Sequence, residues 1–150
     1  MVTGFKHLHS ANRYILLALL LLVIITSFQK WKGKKEYTKQ DDKLNLFAFI
    51  FTHIQLLLGL GLYFTSDWVR FDDTTMSSPL IRFFTVEHIF GMLVAITLIT
   101  LGRIKGKKIT DSVRRHKLTF WYFFIGLVII LATIPWPFRS WAEAAGIGWF

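Results

Sequence analysis

Five histidines, a buried-looking glutamate and the complete absence of cysteine define the chemistry open to this 150-residue chain. Without thiols there is no disulfide, thiolate metal site, c-type haem attachment or thiol nucleophile. What remains is imidazole, at His7, His9, His53, His88 and His116, with Arg13 and Glu87 as neighbouring charged groups. A neutral imidazole is a metal ligand, and two of them on facing helices of a bundle can hold the iron of haem b with no covalent link. Spacing singles out His53 and His88. Each lies nine residues inside an apolar run, counted from Leu44 and Pro79, which is roughly 13 Å at about 1.5 Å per helical residue. Both would stand near the middle of a hydrocarbon layer about 30 Å thick.

The surrounding residues refine that expectation. At roughly 100° per residue, Glu87, His88, Gly91 and Ala95 share a stripe whose small residues would admit a flat macrocycle. The same Gly91-x-x-x-Ala95 pattern also packs two helices closely with no cofactor at all. His9 shares a face with Asn12 and Arg13. Arg13 is a candidate partner for haem propionates, with His9 as a donor or an alternative axial ligand; the two could equally meet Glu87, a possible proton or ion-pair site, or Arg13 could snorkel to headgroups. Gln55, with Thr52 and Gly59, points roughly 100 to 160° away from His53 and is read as an interhelical hydrogen-bonding group. Met92 reads as core filler and His116 as an interfacial residue.

The elements that must carry these side chains follow from the distribution of charge. Residues 14–29, 44–66 and 118–138 contain no charged side chain, and a helix needs roughly 20 apolar residues to cross a bilayer. Four spans result, at 8–28, 44–64, 79–101 and 118–138, with short connections that make neighbours antiparallel. The fold expected is all-α, one integral membrane domain built as a four-helix antiparallel bundle. The last span closes on Ile134-Pro135-Trp136-Pro137-Phe138, where the prolines stop the helix and Trp136 anchors it at the interface. The final ten residues are read as lying on the outer surface through Trp141, Trp149 and Phe150.

A chain with a pI near 10.0 and a net charge of +9 invites a nucleic-acid reading. The basic residues do not support it. Thirteen of the eighteen lie in the first and third connections, against four acidic residues there, so the excess is a topology signal satisfied by anionic lipid headgroups. It places those connections in the cytoplasm and both termini in the periplasm. The run ILLALLLLVIITSF is long, is followed by QKWKGKK and shows no small-x-small cleavage site, so the first span reads as a retained helix.

Several segments together carry a resemblance: Leu8-His9-Ser10 with Arg13, His53-Ile54-Gln55 with Gly59 and Leu62-Tyr63-Phe64, Phe83-Phe84 before His88, then Met92, Gly102 and IPWPF. Over nearly its whole length the chain resembles small bacterial four-helix inner-membrane proteins of the cytochrome b-like kind. The resemblance marks His9, His53 and His88 and implies haem b in a multi-pass inner-membrane protein. It leaves open a three-histidine site for copper or zinc.

The function expected is a membrane cytochrome b-like protein, binding haem through His53 and His88 and acting in electron transfer or as a subunit of a larger membrane complex. A redox partner is implied because no second redox centre is visible; a homo-oligomer is compatible. The alternatives are a cofactor-free accessory subunit, or a histidine-based copper, zinc or quinone site. No nucleophile and base pair and no phosphate-binding loop is present, which argues for an electron carrier or accessory subunit over a conventional enzyme.

Overall fold

The computed structural model describes residues 2–149, and Phe150 lies outside the described residues. The described residues form helices joined by short connections, with no strand among them. Four long elements dominate: α1 (Val2–Lys32), α2 (Lys39–Thr65), α5 (His88–Lys107) and α6 (Ser112–Thr133). Between α2 and α5 lie the one-turn helices α3 (Thr74–Ser77) and α4 (Pro79–Arg82), then a π-helical turn over Phe83–Glu87 that runs directly into α5. A final short helix, α7, covers Ser140–Ala144. The stretches Thr3–Lys32, Lys39–Thr65, Pro79–Lys107 and Ser112–Thr133 are each long and apolar enough to cross a membrane.

Local chemistry sets the boundaries. Thr38 opens α2 with a capping box: its hydroxyl accepts from Asp41 N while the Asp41 carboxylate accepts from Thr38 N at 2.8 Å. The Asp111 carboxylate caps α6 by accepting from Arg114 N at 2.7 Å. Ser78 precedes Pro79, whose missing N–H is harmless at the first helical position. The α1–α2 turn passes through Lys34 at φ 50°, so α1 closes at Lys32 and the connection shrinks to residues 33–38.

Three boundaries differ from the sequence expectation in ways that matter. Helix α1 already runs at Val2, so His9 sits about two turns inside it rather than at its mouth. Helix α2 starts at Lys39, a turn earlier than expected, because the Thr38 cap outweighs the cost of the charges that follow. Helix α6 ends at Thr133 and not at Phe138, because Pro135 and Pro137 cannot donate to the backbone ladder.

The core is a seam of Leu16, Leu20, Val23 and Ile24 from α1, Ala48 from α2, Ala95 and Ile99 from α5, Phe123, Leu127 and Ile130 from α6, and Ile134 just past its end. Helix α1 packs closely on α2 and α6, and α6 on α5, whereas α2 and α5 approach only loosely. The α5–α6 contact is tight because glycines line it: a Cβ at Gly102 would stand 2.6 Å from Tyr122 Cβ, and one at Gly126 3.0 Å from Ile99 Cγ1. Outside this seam, large apolar residues such as Leu22, Ile25, Leu57, Phe90 and Val128 are exposed.

Candidate functional site

The loose α2–α5 contact leaves a cavity of about 430 Å³ at the end of the molecule where the chain begins and ends. That size falls in the range of cofactor and small-molecule sites, roughly 300–1,000 Å³. Its walls are mostly apolar, from Leu16, Leu56, Leu60, Ile89, Met92 and Ile130, with His9, Arg13, Gln55 and His88 as the principal polar groups. His7, exposed on α1, also reaches its edge. Residues 145–148 of the C-terminal stretch close one side.

His88 is held by its own hydrogen bond. Its Nδ1 lies 2.8 Å from the backbone oxygen of Thr133 at the end of α6. A carbonyl can only accept, so the proton is on Nδ1 and the Nε2 lone pair is free. Phe83 and Phe84 flank the ring at centroid distances of 5.7 and 6.0 Å. The π-turn that precedes His88 buries Phe83 and Thr85 while leaving Glu87 outside. Such turns add one residue to the helical register, and they recur at functional sites.

His9 faces His88 across the cavity, with ring centroids 6.4 Å apart and planes inclined at 66°. Room for its ring comes from Gly59 on α2, where a Cβ would stand 3.2 Å from His9 Cε1. His9 Nδ1 is buried with no hydrogen-bond partner. Beneath it a polar clasp joins α1 to α2: Asn12 Nδ2 donates to Gln55 Oε1 at 2.6 Å and to Phe51 O at 3.1 Å, and Gln55 Nε2 donates to His9 O at 3.0 Å. Gln55 is thus an interhelical hydrogen-bonding group.

Two imidazoles bound to one metal ion stand about 6.4 Å apart, from roughly 2.0 Å of metal–nitrogen bond and roughly 1.2 Å of nitrogen to ring centre on each side. The His9 and His88 centroids stand at that distance, with the rings in edge-to-face contact.

The structure does not bring His53 to His88. His53 does not line the cavity; its ring packs on Phe49 at 4.2 Å and its Nδ1 donates to Phe49 O at 2.8 Å. The α2 residue level with His9 is Gly59, six residues nearer the chain-terminal end, or roughly 9 Å along the axis. Nor is Gly91 open to a macrocycle. A Cβ there would overlap the Thr133 side chain, so the stripe Gly91–Ala95 packs against α6. Glu87 leaves that stripe altogether: it is exposed and paired with Arg82 at 2.8 Å. Arg13 donates to Trp149 O at 2.5 Å and to Tyr14 Oη at 3.1 Å, which puts it on the C-terminal stretch and away from Glu87. Trp149 in turn contacts Trp136, and Trp141 packs on Phe83 at 4.5 Å, so the tail folds onto the cavity end.

At the opposite, basic end, Arg103 is 6% exposed and donates to Asn45 Oδ1 at 3.1 Å, with Asp42 3.5 Å away. Arg115 pairs with Asp42 at 2.7 Å and lies 3.7 Å above the Tyr37 ring. His116, expected at the interface, is fully buried because residues 33–38 fold over the start of α6; it packs on Tyr37 at 4.9 Å. Among the described residues no three of His, Cys, Asp or Glu are grouped to hold a metal ion.

Two contributors escaped the sequence reading. Thr133 acts through its backbone oxygen, which no side-chain pattern reports. Residues 145–148, two of them glycine, carry no periodicity that would assign them to a wall. No family model matches the chain, and no curated protein or solved structure matches it.

Proposed function

We propose that this chain is a membrane-embedded, antiparallel four-helix protein of the cytochrome b-like kind that binds one haem b through His9 and His88. In this reading both termini lie in the periplasm of a bacterial inner membrane, and the protein passes electrons to a partner or serves within a larger membrane complex. The observation that carries the proposal is the His9–His88 pair in one apolar cavity, at 6.4 Å, with His88 locked by Thr133 O so that its Nε2 lone pair is free. A carbonyl that fixes the tautomer and orientation of an imidazole through its other ring nitrogen is the usual support of a ligating histidine.

The fit of the remaining residues is reasonable. The buried, unpartnered Nδ1 of His9 is a polar atom that costs about 1–3 kcal/mol unless something satisfies it. Gly59 keeps α2 clear of the His9 ring, and Leu56, Leu60, Ile89 and Ile130 supply the apolar contact a porphyrin face needs. A bound haem supplies a one-electron couple, which the protein tunes through axial ligands, burial and hydrogen bonds. The chain's own part is to hold two imidazoles, exclude water and keep Arg13 at the mouth. Copper or zinc alone is less well supported, because only two histidines converge.

One observation favours a second reading. Arg13, the natural partner of a propionate, is already bonded to Trp149 O, which suits a cofactor-free accessory subunit whose cavity is closed by its own tail. Spectroscopy separates the two. Protein purified after haem supplementation should show a Soret band and a reduced α band, and His9→Ala and His88→Ala should each lose the six-coordinate low-spin spectrum while His53→Ala keeps it. A protein with no Soret band at all sinks the haem reading; loss in His53→Ala restores the pair expected from spacing. Since the chain has no cysteine, single cysteines at Lys34, Lys108, Asp73 and Glu143 report sidedness by impermeant thiol labelling, with the last two expected to react from outside.

A further inference from the structure

Helix α6 stops at Thr133, and two of the next four residues are Pro135 and Pro137. In an α-helix the carbonyl of residue i accepts from the N–H of residue i+4. Pro135 and Pro137 occupy that position for Leu131 and Thr133, and neither has an N–H to give. Pro135 also favours extended backbone in the residue before it, and Ile134 is extended, at φ −72° and ψ 137°. The remaining donor, Trp136 N–H, turns onto Ile134 O at 2.9 Å and is lost to Ala132. Three consecutive carbonyls are thereby left without a backbone donor.

Each is answered by a different side chain. Trp136 Nε1 donates to Leu131 O at 2.8 Å, Arg139 Nη2 to Ala132 O at 2.6 Å, and His88 Nδ1 to Thr133 O at 2.8 Å. The first two come from the tail of α6 itself. The third comes from a different helix and is the candidate ligand. Any helix end leaves its last carbonyls open; the prolines determine that this end falls beside His88, and Gly91, one turn along α5, lets the two helices close to hydrogen-bonding distance.

We infer that Pro135 and Pro137 are positioning residues for His88: Pro137 withholds the N–H that would meet Thr133 O, Pro135 turns Ile134 out of the helix so that no further turn forms, and together they leave the acceptor that keeps the His88 proton on Nδ1 and directs the Nε2 lone pair to the cavity. The inference concerns the tautomer of the chain itself, and rests on the haem reading only for what the lone pair is used for. Converting both prolines to alanine restores an N–H at position 137 and permits one further helical turn, which recaptures Thr133 O. His88 then loses its acceptor.

The test is ¹⁵N NMR of histidine-labelled, haem-free protein in nanodiscs, with the His88 signals assigned by their loss in His88→Ala. Wild type should show a pyrrole-type Nδ1 and a pyridine-type Nε2 for His88, and the Pro135→Ala/Pro137→Ala variant should lose the pyrrole-type Nδ1 signal. A wild-type His88 protonated on Nε2 overturns the inference without any variant. An unchanged Nδ1–H in a folded double variant overturns the role of the prolines. Because no haem is present, these outcomes are independent of whether the Soret experiment succeeds; where haem does bind, the same variant should also shift its reduction potential.

Discussion

Replacing Gly91 by alanine adds one methyl group at the place where α5 presses on α6. The added Cβ would overlap Thr133 Cγ2 and stand 3.2 Å from both Thr133 Cβ and Oγ1. Rotation of the threonine offers little relief, because its hydroxyl is engaged with Ile129 O at 2.8 Å. The helices must therefore separate by roughly 1 Å to reach ordinary contact, and the hydrogen bond from His88 to Thr133 O, 2.8 Å long, would pass beyond the limit of about 3.2 Å. Overpacking of this kind costs about 1–3 kcal/mol, and the buried carbonyl left unpaired adds about 1–3 kcal/mol. Reversible unfolding in mixed micelles, followed by tryptophan fluorescence, should register a loss of about 3 kcal/mol. Thr133→Ser provides the control, since serine keeps the hydroxyl and the backbone oxygen and removes only the colliding methyl. In that background Gly91→Ala should be milder by about 1–2 kcal/mol, a coupling within the usual range for residues in contact. Equal losses in the two backgrounds would refute the collision argument.

Other outcomes follow from the same geometry. Arg103→Ala, which orphans Asn45 Oδ1 in the interior, should lower stability by about 1.5–3 kcal/mol, whereas Arg82→Ala, at a pair whose side chains are 42% and 46% exposed, should change it by roughly 0–1 kcal/mol; the same micellar titration compares them. Gly59→Ala places a methyl 3.2 Å from His9 Cε1 and should leave stability within about 1 kcal/mol while lowering Soret absorbance per protein after haem supplementation. Burial raises the Tyr37 hydroxyl above its ordinary value of 10.0, against the pull of nearby Arg115. Its contribution to stability is therefore complete below the unfolded value, about 10, and is lost as pH rises through the folded one. Unfolding midpoints taken from pH about 9 upward should fall more steeply in wild type than in Tyr37→Phe.

The long helices were legible because membrane-length apolar runs leave little choice of structure, but their ends were not: α2 starts at Lys39 behind the Thr38 cap and α6 at Ser112 behind the Asp111 cap, five and six residues before the apolar runs begin. The site was less legible, and His9 shows why. Its depth depends on where α1 starts, and residues 2–7 are a mixed, weakly apolar stretch with no cap to mark a beginning. With the start at residue 8, His9 belongs to the surface; with the helix already running at Val2, it is seven residues in, or roughly 10 Å. His53 is affected in the opposite sense. Counted from Leu44 it matches His88 in depth, but α2 begins at Lys39, so the count of nine residues describes the hydrophobic run and not the helix. Depth arguments inherit every error in the helix start.

Facing is the second quantity that hydropathy does not supply. On α2 the choice was between the His53 face and the Gln55–Gly59 face, and the clasp of Asn12 with Gln55 settles it by turning the latter toward α1. A buried amide left unpaired costs about 1–3 kcal/mol, and Gln55 has a partner only in that orientation, whereas His53 satisfies its Nδ1 within its own helix, on Phe49 O. The locally satisfied histidine can be rotated away from the core at little expense; the glutamine cannot. The same reasoning separates His88 from His53, for both have Nδ1 bonded to a carbonyl, but only His88 finds that carbonyl on another helix. A histidine whose orientation is fixed by tertiary structure is preorganised, and one bonded four residues back is merely comfortable. Asn12→Ala should therefore reach the site indirectly. Losing both Asn12 bonds leaves Gln55 held to α1 only through His9 O and loosens α1 against α2 at the level of His9, so His9 should lose its fixed position and haem occupancy should fall, while the His88 Nδ1–H signal persists because nothing between α5 and α6 has changed. Loss of the His88 signal in Asn12→Ala would show that the two halves of the cavity are held by one network instead of two.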